Sequence, residues 1–421
     1  MSQTRSFNDK LMWFVSEKMA PVLGRLQELL LVRVIIGALT EMSSILIIAS
    51  IFLLLAVYGG EIPGVGPKFS IVFSLTMGIL SLYAATAIGI SYAKLTNLSQ
   101  LSGAMVGLSS FLLITLDNVT DNTISVASFG ANGLFAAMVT SYLAMTIYRF
   151  CVEKKIVIRL PEGVPQGVAN AFSALIPLTI TTTLAWLVRS VAGFDLVTVL
   201  MNLLAPLFTA VDSIYIFTAR IFVGMLLWSG GLHGEMMTSG AIFQPFTTAW
   251  LAENAQAAAA GVPATQLPHI WTEPLERIVL WPAAAWSLMI LLYLSKAPHL
   301  RKFAVACTPA VIFTIIEPLV FGLPVVLNPY LIIPFVLSST IAAIVSYGAM
   351  SLGLVAKTFA TVPWSTPPII SSYIATGGDW RAVLLVLVNV LIGLVIYYPF
   401  FKVYEKKEIE RMSQLDAKAT S

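Results

Sequence analysis

Charge is what this chain has least of: Asp, Glu, Lys and Arg make up 11% of its 421 residues, where soluble domains carry about a quarter. That scarcity excludes an ordinary water-soluble fold. With 58% hydrophobic residues and a mean hydropathy of +0.88, the chain reads as an all-α polytopic membrane protein. Cysteine is nearly missing as well. Cys151 and Cys307 lie far apart with no Cys or His at metal-ligand spacing, which excludes a disulfide framework and a zinc site, so both read as packing residues. No basic patch with interleaved aromatics occurs, and the net charge of +3 is spread over the ends and short loops. Nucleic acid is therefore not an expected partner, and the positive charge reads as membrane orientation. The first thirty residues lack a compact apolar core before a small-residue cleavage site, so no removable signal peptide is expected.

Apolar tracts of helical-span length recur along the chain. In the first half they run near Leu29 to Val57, Phe69 to Ala93, Leu101 to Leu116, Asn132 to Phe150 and Asn170 to Val191. In the second half they run near Ile214 to Leu232, Arg277 to Leu294, Phe303 to Val326, Tyr330 to Tyr347 and Ala382 to Phe401. Two intervals, Gly234 to Glu276 and Gly348 to Asp379, are too apolar for loops and too punctuated by Gly and Pro for simple spans, which reads as re-entrant or discontinuous backbone. The expectation is roughly ten transmembrane helices plus two re-entrant segments. Lys94 and the cluster Arg149, Lys154, Lys155, Arg159 fall on one side, whereas 117–129 holds Asp117 and Asp121 and no Lys or Arg. The basic side reads as cytoplasmic, and counting from it puts both termini inside. Phe7, Leu11, Phe14 and Val15 recur at helical spacing, which suits either an amphipathic surface helix or a plain cytosolic extension.

Two ionisable residues interrupt apolar tracts: His233 in Leu-Leu-Trp-Ser-Gly-Gly-Leu-His-Gly, and Glu317 in Phe-Thr-Ile-Ile-Glu-Pro-Leu-Val-Phe-Gly-Leu-Pro. A charge in hydrocarbon costs from a few to about 10 kcal/mol depending on the measure, so such residues usually line a cavity. Each alone has a second reading as a satisfied interhelical group. Both also adjoin Gly or Pro, and broken helices at membrane depth are tolerated where they are buried or line a cavity. Together they mark a candidate binding site.

Several stretches, in order along the chain, resemble the membrane-embedded sugar-transporting subunit, enzyme IIC, of the bacterial phosphotransferase system, in its lactose, cellobiose and diacetylchitobiose family. They are Phe129-Gly-Ala-Asn-Gly-Leu-Phe135, Ile147-Tyr-Arg-Phe150, Leu160-Pro-Glu-Gly-Val-Pro165, Phe172-Ser-Ala-Leu-Ile-Pro177, His233-Gly234, Glu317-Pro-Leu-Val-Phe-Gly-Leu-Pro-Val-Val-Leu-Asn-Pro329, Val362-Pro-Trp-Ser-Thr-Pro-Pro368 and Ala375-Thr-Gly-Gly-Asp-Trp-Arg381. The resemblance implies a multi-pass protein of the bacterial cytoplasmic (inner) membrane that acts as a homodimer. It divides the chain into a cytoplasmic or amphipathic segment 1–28, a dimerisation domain 29–192, a sugar-binding domain 193–402 and a cytoplasmic tail 403–421. It further implies that a disaccharide, β-linked by family default, is bound outside and presented to a phosphorylated IIB protein, with IIA and HPr upstream. Nothing in this sequence supplies the IIB cysteine, so IIB and IIA functions are expected on other chains, and no cofactor or metal is expected.

Residue by residue, His233 matches the histidine near the hydroxyl that becomes phosphorylated, where it is either the base that takes the proton or a hydrogen-bond anchor. Glu317 matches a glutamate that accepts hydrogen bonds from sugar hydroxyls, and Pro318 should open the chain beside it. Trp364 matches a tryptophan suited to stacking on a pyranose. Gly234 would allow close backbone approach, although helix packing explains a glycine equally. Asn328 reads as a helix-end or interhelical group, and Glu41 as pairing within the first domain. Two departures put sugar identity in doubt: Ile316 precedes Glu317 where the family often has a polar residue, and Glu235 follows His-Gly. Glu235 contacts the substrate or faces the cytosol, the second being favoured. An ion-coupled secondary sugar transporter and a non-transporting sugar sensor remain alternatives.

Overall fold

The computed structural model of the protein describes residue 13 and residues 17–18, 20–59, 66–116, 126, 128–161, 163–323, 325 and 328–419. Among them every regular element is a helix. The surface helix expected around Phe7 to Val15 and the acidic loop with Asp117 and Asp121 lie outside the described residues.

Seven stretches are long and apolar enough to cross a membrane: Leu30–Gly59, Lys68–Leu95, Ala131–Glu153, Gln166–Val191, Glu273–Tyr293, Tyr330–Ser351 and Trp380–Gln414. They correspond to seven of the expected spans. The other three differ individually. The tract at Leu101 is a helix of 16 residues, Gln100–Thr115. Ile214–Ser229 follows Leu196–Val211, a helix the apolar pattern did not separate, with a 71° bend between them. The expected span Phe303 to Val326 is not continuous: a helix Pro298–Ile312 stops, and a short one, Glu317–Gly322, restarts.

The chain folds as two compact units. One comprises Leu26–Ala210 and Ala241–Ala260; the other comprises Val211–Gly240 and Gly261–Ser421 with the first 25 residues. The interval Gly234 to Glu276, expected as re-entrant, is thus shared. Its helix Gln244–Ala259 belongs with the N-terminal unit, where Phe246 and Trp250 pack with Phe135 and Phe208 at centroid distances of 5.3–6.0 Å. The interval Gly348 to Asp379 holds an extended stretch and a short helix, Pro368–Ala375.

Within the N-terminal unit, Phe129 is buried against Phe111, and Ser81 donates to the Gly130 carbonyl while its N–H donates to Phe129 O. The motif around Phe129 is therefore packed into the unit. Helices Leu80–Leu95 and Gln100–Thr115 touch backbone to backbone at Gly89 and Gly103. A Cβ on Gly89 would lie 2.1 Å from the Gly103 carbonyl oxygen, and one on Gly103 would lie 2.4 Å from that of Gly89. Small residues let membrane helices approach this closely. We predict that Gly89→Ala costs about 3 kcal/mol, the upper range for overpacking, read by thermal melting in detergent; wild-type melting would mean that the crossing relaxes freely. Glu41 finds Lys94 at 3.7 Å, with both side chains about half exposed. Such a pair contributes little. Cys151 and Cys307 are free and buried.

In the C-terminal unit, polar side chains tie helices together where the surroundings are apolar. Asn389 donates to Ile278 O and Ser346 Oγ, both at 2.9 Å. Asp212, beside the bend, accepts from the N–H groups of Ile270 (3.1 Å) and Trp271 (3.0 Å), while Tyr347 OH donates to the Asp212 carbonyl (2.9 Å). These bonds fix the loop that leads into Glu273–Trp281.

Candidate functional site

All the residues singled out for chemistry fall within the C-terminal unit. Helix Ile214–Ser229 ends at Gly230, and Gly231 takes a left-handed backbone at φ 83°, which glycine adopts without penalty. The chain then restarts at Gly234–Thr238 with His233 as N-cap: Nδ1 accepts the Met236 N–H at 3.2 Å. Beneath the imidazole lies the buried indole of Trp228, with centroids 4.4 Å apart. Trp228 also meets Trp281 and Phe321, each at 6.3 Å, so one aromatic body supports the His233 turn and the short helix that begins at Glu317. Gly234 is buried, and a Cβ there would fall 1.8 Å from the Gly224 carbonyl oxygen. Its missing side chain lets the turn pack on the preceding helix.

Glu317 sits at the break its Pro318 required. Helix Pro298–Ile312 closes with Ile315 N–H on Ala310 O and Thr314 N–H on Val311 O, a Schellman ending with Thr314 in the left-handed position at φ 65°. Ile316 is buried as the residue before the next helix, so its apolar character fits its surroundings. Glu317 opens that helix and faces His233, with Oε1 4.0 Å from Nε2 and side chains 46% and 43% exposed. Sequence-distant residues thus form one half-open pair.

Trp364 is 63% exposed in the turn between the extended stretch and Pro368–Ala375. Its carbonyl accepts the Thr314 hydroxyl at 3.0 Å, which ties it to the turn carrying Glu317. Glu235 is half-buried and faces the charges of Arg220, Glu273, Arg277 and Glu317. Asn328 caps Pro329–Ser351 by accepting from Tyr330 N–H at 3.0 Å, the helix-end role expected. In the last motif Asp379 accepts from Ala356 N–H (2.8 Å) and from Arg381 N–H and Nε (3.0 and 2.9 Å). Burial alone would raise its carboxyl, but these bonds outweigh it and hold the group below the usual carboxylate range.

Sequence reasoning missed four charged residues beside this pair. Arg220 and Glu276 form an ion pair at 2.8 Å with side chains 1% and 3% exposed, and Trp271 Nε1 donates to Glu276 at 2.9 Å. Arg277 binds Glu273 one turn earlier. A signal existed: Arg220 interrupts an apolar tract just as His233 does, and Glu273, Glu276 and Arg277 open another.

Residues 38–339 match the family model described as Phosphotransferase system, EIIC. The oligo-beta-mannoside-specific EIIC component of Bacillus subtilis (strain 168) is 30% identical over 97% of this chain and 97% of its own length. The cellobiose-specific EIIC component of Geobacillus stearothermophilus is 30% identical over 95% of each. Among solved structures, that of ChbC, the IIC component from the N,N'-diacetylchitobiose-specific phosphotransferase system, matches with a TM-score of 0.86 at 30% identity, covering 95% of this chain and 99% of that one.

Proposed function

The chain belongs to the phosphotransferase system EIIC family, a multi-pass sugar permease family of the cellobiose, lactose and chitobiose type, and from that premise we propose that it binds a disaccharide at His233, Glu317 and Trp364 and presents it to a phosphorylated IIB protein. The observation that carries this reading is the half-open His233–Glu317 pair, 4.0 Å apart where two helices are broken. In the proposal the protein works as a homodimer through its N-terminal unit, in the cytoplasmic membrane with both termini inside. IIA and HPr recharge the IIB donor.

The geometry also favours one of the two roles for His233. Because Nδ1 accepts a backbone N–H, a neutral ring carries its proton on Nε2. That nitrogen then donates, to Glu317 or to a sugar hydroxyl, and is not free to take up a proton. Glu317 is the complementary acceptor. A carboxylate accepts two hydrogen bonds at once, so one oxygen can face His233 while the other receives the hydroxyl whose oxygen attacks phosphorus. His233 then anchors and orients that hydroxyl, and Glu317 takes the proton as the O–P bond forms and the P–S bond to the IIB cysteine breaks, with the thiolate leaving on IIB. Trp364 offers an exposed indole face for a pyranose.

The test is binding of radiolabelled cellobiose, lactose and diacetylchitobiose to purified protein, with Glu317→Gln as control. Loss of a charged hydrogen bond of about 1.5–3 kcal/mol predicts roughly 10- to 150-fold weaker binding in the mutant. Equal affinity would remove Glu317 from the site. Sugar uptake that survives loss of phosphorylated IIB but collapses with the proton gradient would instead establish secondary transport.

A further inference from the structure

Trp364 is exposed, yet the backbone around it is held at three consecutive carbonyls. Arg277 Nη1 donates to Val362 O at 2.6 Å and to Pro363 O at 3.1 Å, and Thr314 Oγ1 donates to Trp364 O at 3.0 Å. Pro363 O also closes a turn with Thr366 N–H at 2.9 Å. Arg277 is in turn fixed from behind, with Nε and Nη2 on Glu273 Oε1 at 2.8 and 2.5 Å. The second oxygen of Glu273 receives the Thr361 hydroxyl at 3.4 Å, so the carboxylate grips both the guanidinium and the start of the same segment. The Arg277 side chain is 10% exposed. Thr314, for its part, is a β-branched residue in a left-handed conformation that such residues avoid, and strain of this kind concentrates at functional sites.

This arrangement is more than a helix tied to a loop. A planar guanidinium directs donors in opposite directions within one rigid plane, which an ammonium cannot reproduce. A stacking platform binds a ring best when its own backbone is ordered beforehand, because the ordering cost does not then fall on the binding step. The three captured carbonyls flank the one large exposed aromatic of this stretch, and Thr314 stands three residues before Glu317. The clamp therefore sets the position of the indole relative to the carboxylate.

We infer that Arg277, held by Glu273, is a positioning residue for sugar binding that fixes Trp364 in register with Glu317. The inference rests on the reading of Trp364 as a stacking surface for the sugar. It adds a residue that never touches the substrate.

Two measurements test it on the full-length protein in detergent. Hydrogen exchange requires no sugar: Arg277→Lys is expected to speed exchange of the amides in 361–366 about tenfold while the amides of Ile214–Ser229 and Pro329–Ser351 keep their wild-type rates. Unchanged exchange in 361–366 would overturn the clamp. Binding of radiolabelled cellobiose, with lactose and diacetylchitobiose in parallel, then reads a double-mutant cycle. Arg277→Lys and Trp364→Phe are each expected to weaken binding about tenfold, and the double variant to bind within about twofold of Trp364→Phe alone. Losses that multiply would mean that Arg277 does not act through Trp364, which overturns the positioning role. Should Arg277→Lys fail to fold, Glu273→Gln frees the guanidinium from behind and is expected to give the same exchange signature and the same non-additivity. Wild-type affinity in Trp364→Phe alone would remove the stacking role itself, and that failure is separable because the exchange result stands without it.

Discussion

His233→Ala is expected to abolish sugar phosphorylation by the IIB partner, with the rate falling by about 10²–10⁴. Sugar binding is expected to fall less, by roughly tenfold, the loss of a single hydrogen bond. The reason lies in which nitrogen is committed. Nδ1 is occupied by the Met236 N–H, so in the neutral ring Nε2–H is the group facing Glu317 Oε1 at 4.0 Å, and under the proposed mechanism its removal leaves the nucleophilic hydroxyl without an orienting donor. His233→Gln separates the two roles open for this residue. An amide can donate but cannot act as a base at neutral pH, so the anchor role predicts that Gln restores part of the rate lost by Ala. A base role predicts that Gln and Ala are equally inactive. Phosphorylation measured in membranes with purified phosphorylated IIB decides between them, and a wild-type rate in His233→Ala would remove the residue from the reaction.

Breaking the Arg220–Glu276 pair is expected to give the largest stability loss in the C-terminal unit. Both side chains are at most 3% exposed, so water does not screen what remains, and an uncompensated buried charge typically costs about 3–5 kcal/mol. The two single variants should differ. Glu276→Leu leaves Arg220, which cannot shed its proton, as a buried cation with Glu235 as its remaining counter-charge, whereas Arg220→Leu leaves carboxyl groups that can take up a proton and become neutral. Glu276→Leu should therefore fall near the upper end of that range and Arg220→Leu near the lower. The double variant, apolar at both positions, should recover most of the loss, since a buried pair is often no better than hydrophobic side chains of similar volume. Thermal melting in detergent checks the order; single variants that melt like wild type would show that the pair is not the buried unit described.

The sequence by itself determined the class of protein and most of its helices. Scarce charge and long apolar runs report the free energy of transferring each residue into hydrocarbon, a property every residue carries with it. For the same reason His233 and Glu317 were visible as exceptions, and Pro318 announced the break at Glu317, because a missing N–H and a ring clash act on the adjacent backbone. What only the tertiary structure decided is which partner each exception takes. Nothing local in the chain says that Glu276 faces Arg220 and not Arg277, that Gln244–Ala259 joins the N-terminal unit, or that Arg277 holds the carbonyls of Val362 and Pro363. A buried charge demands compensation but does not specify its source. The source depends on which helices pack together and at what register, and that is fixed by contacts between side chains far apart in the chain.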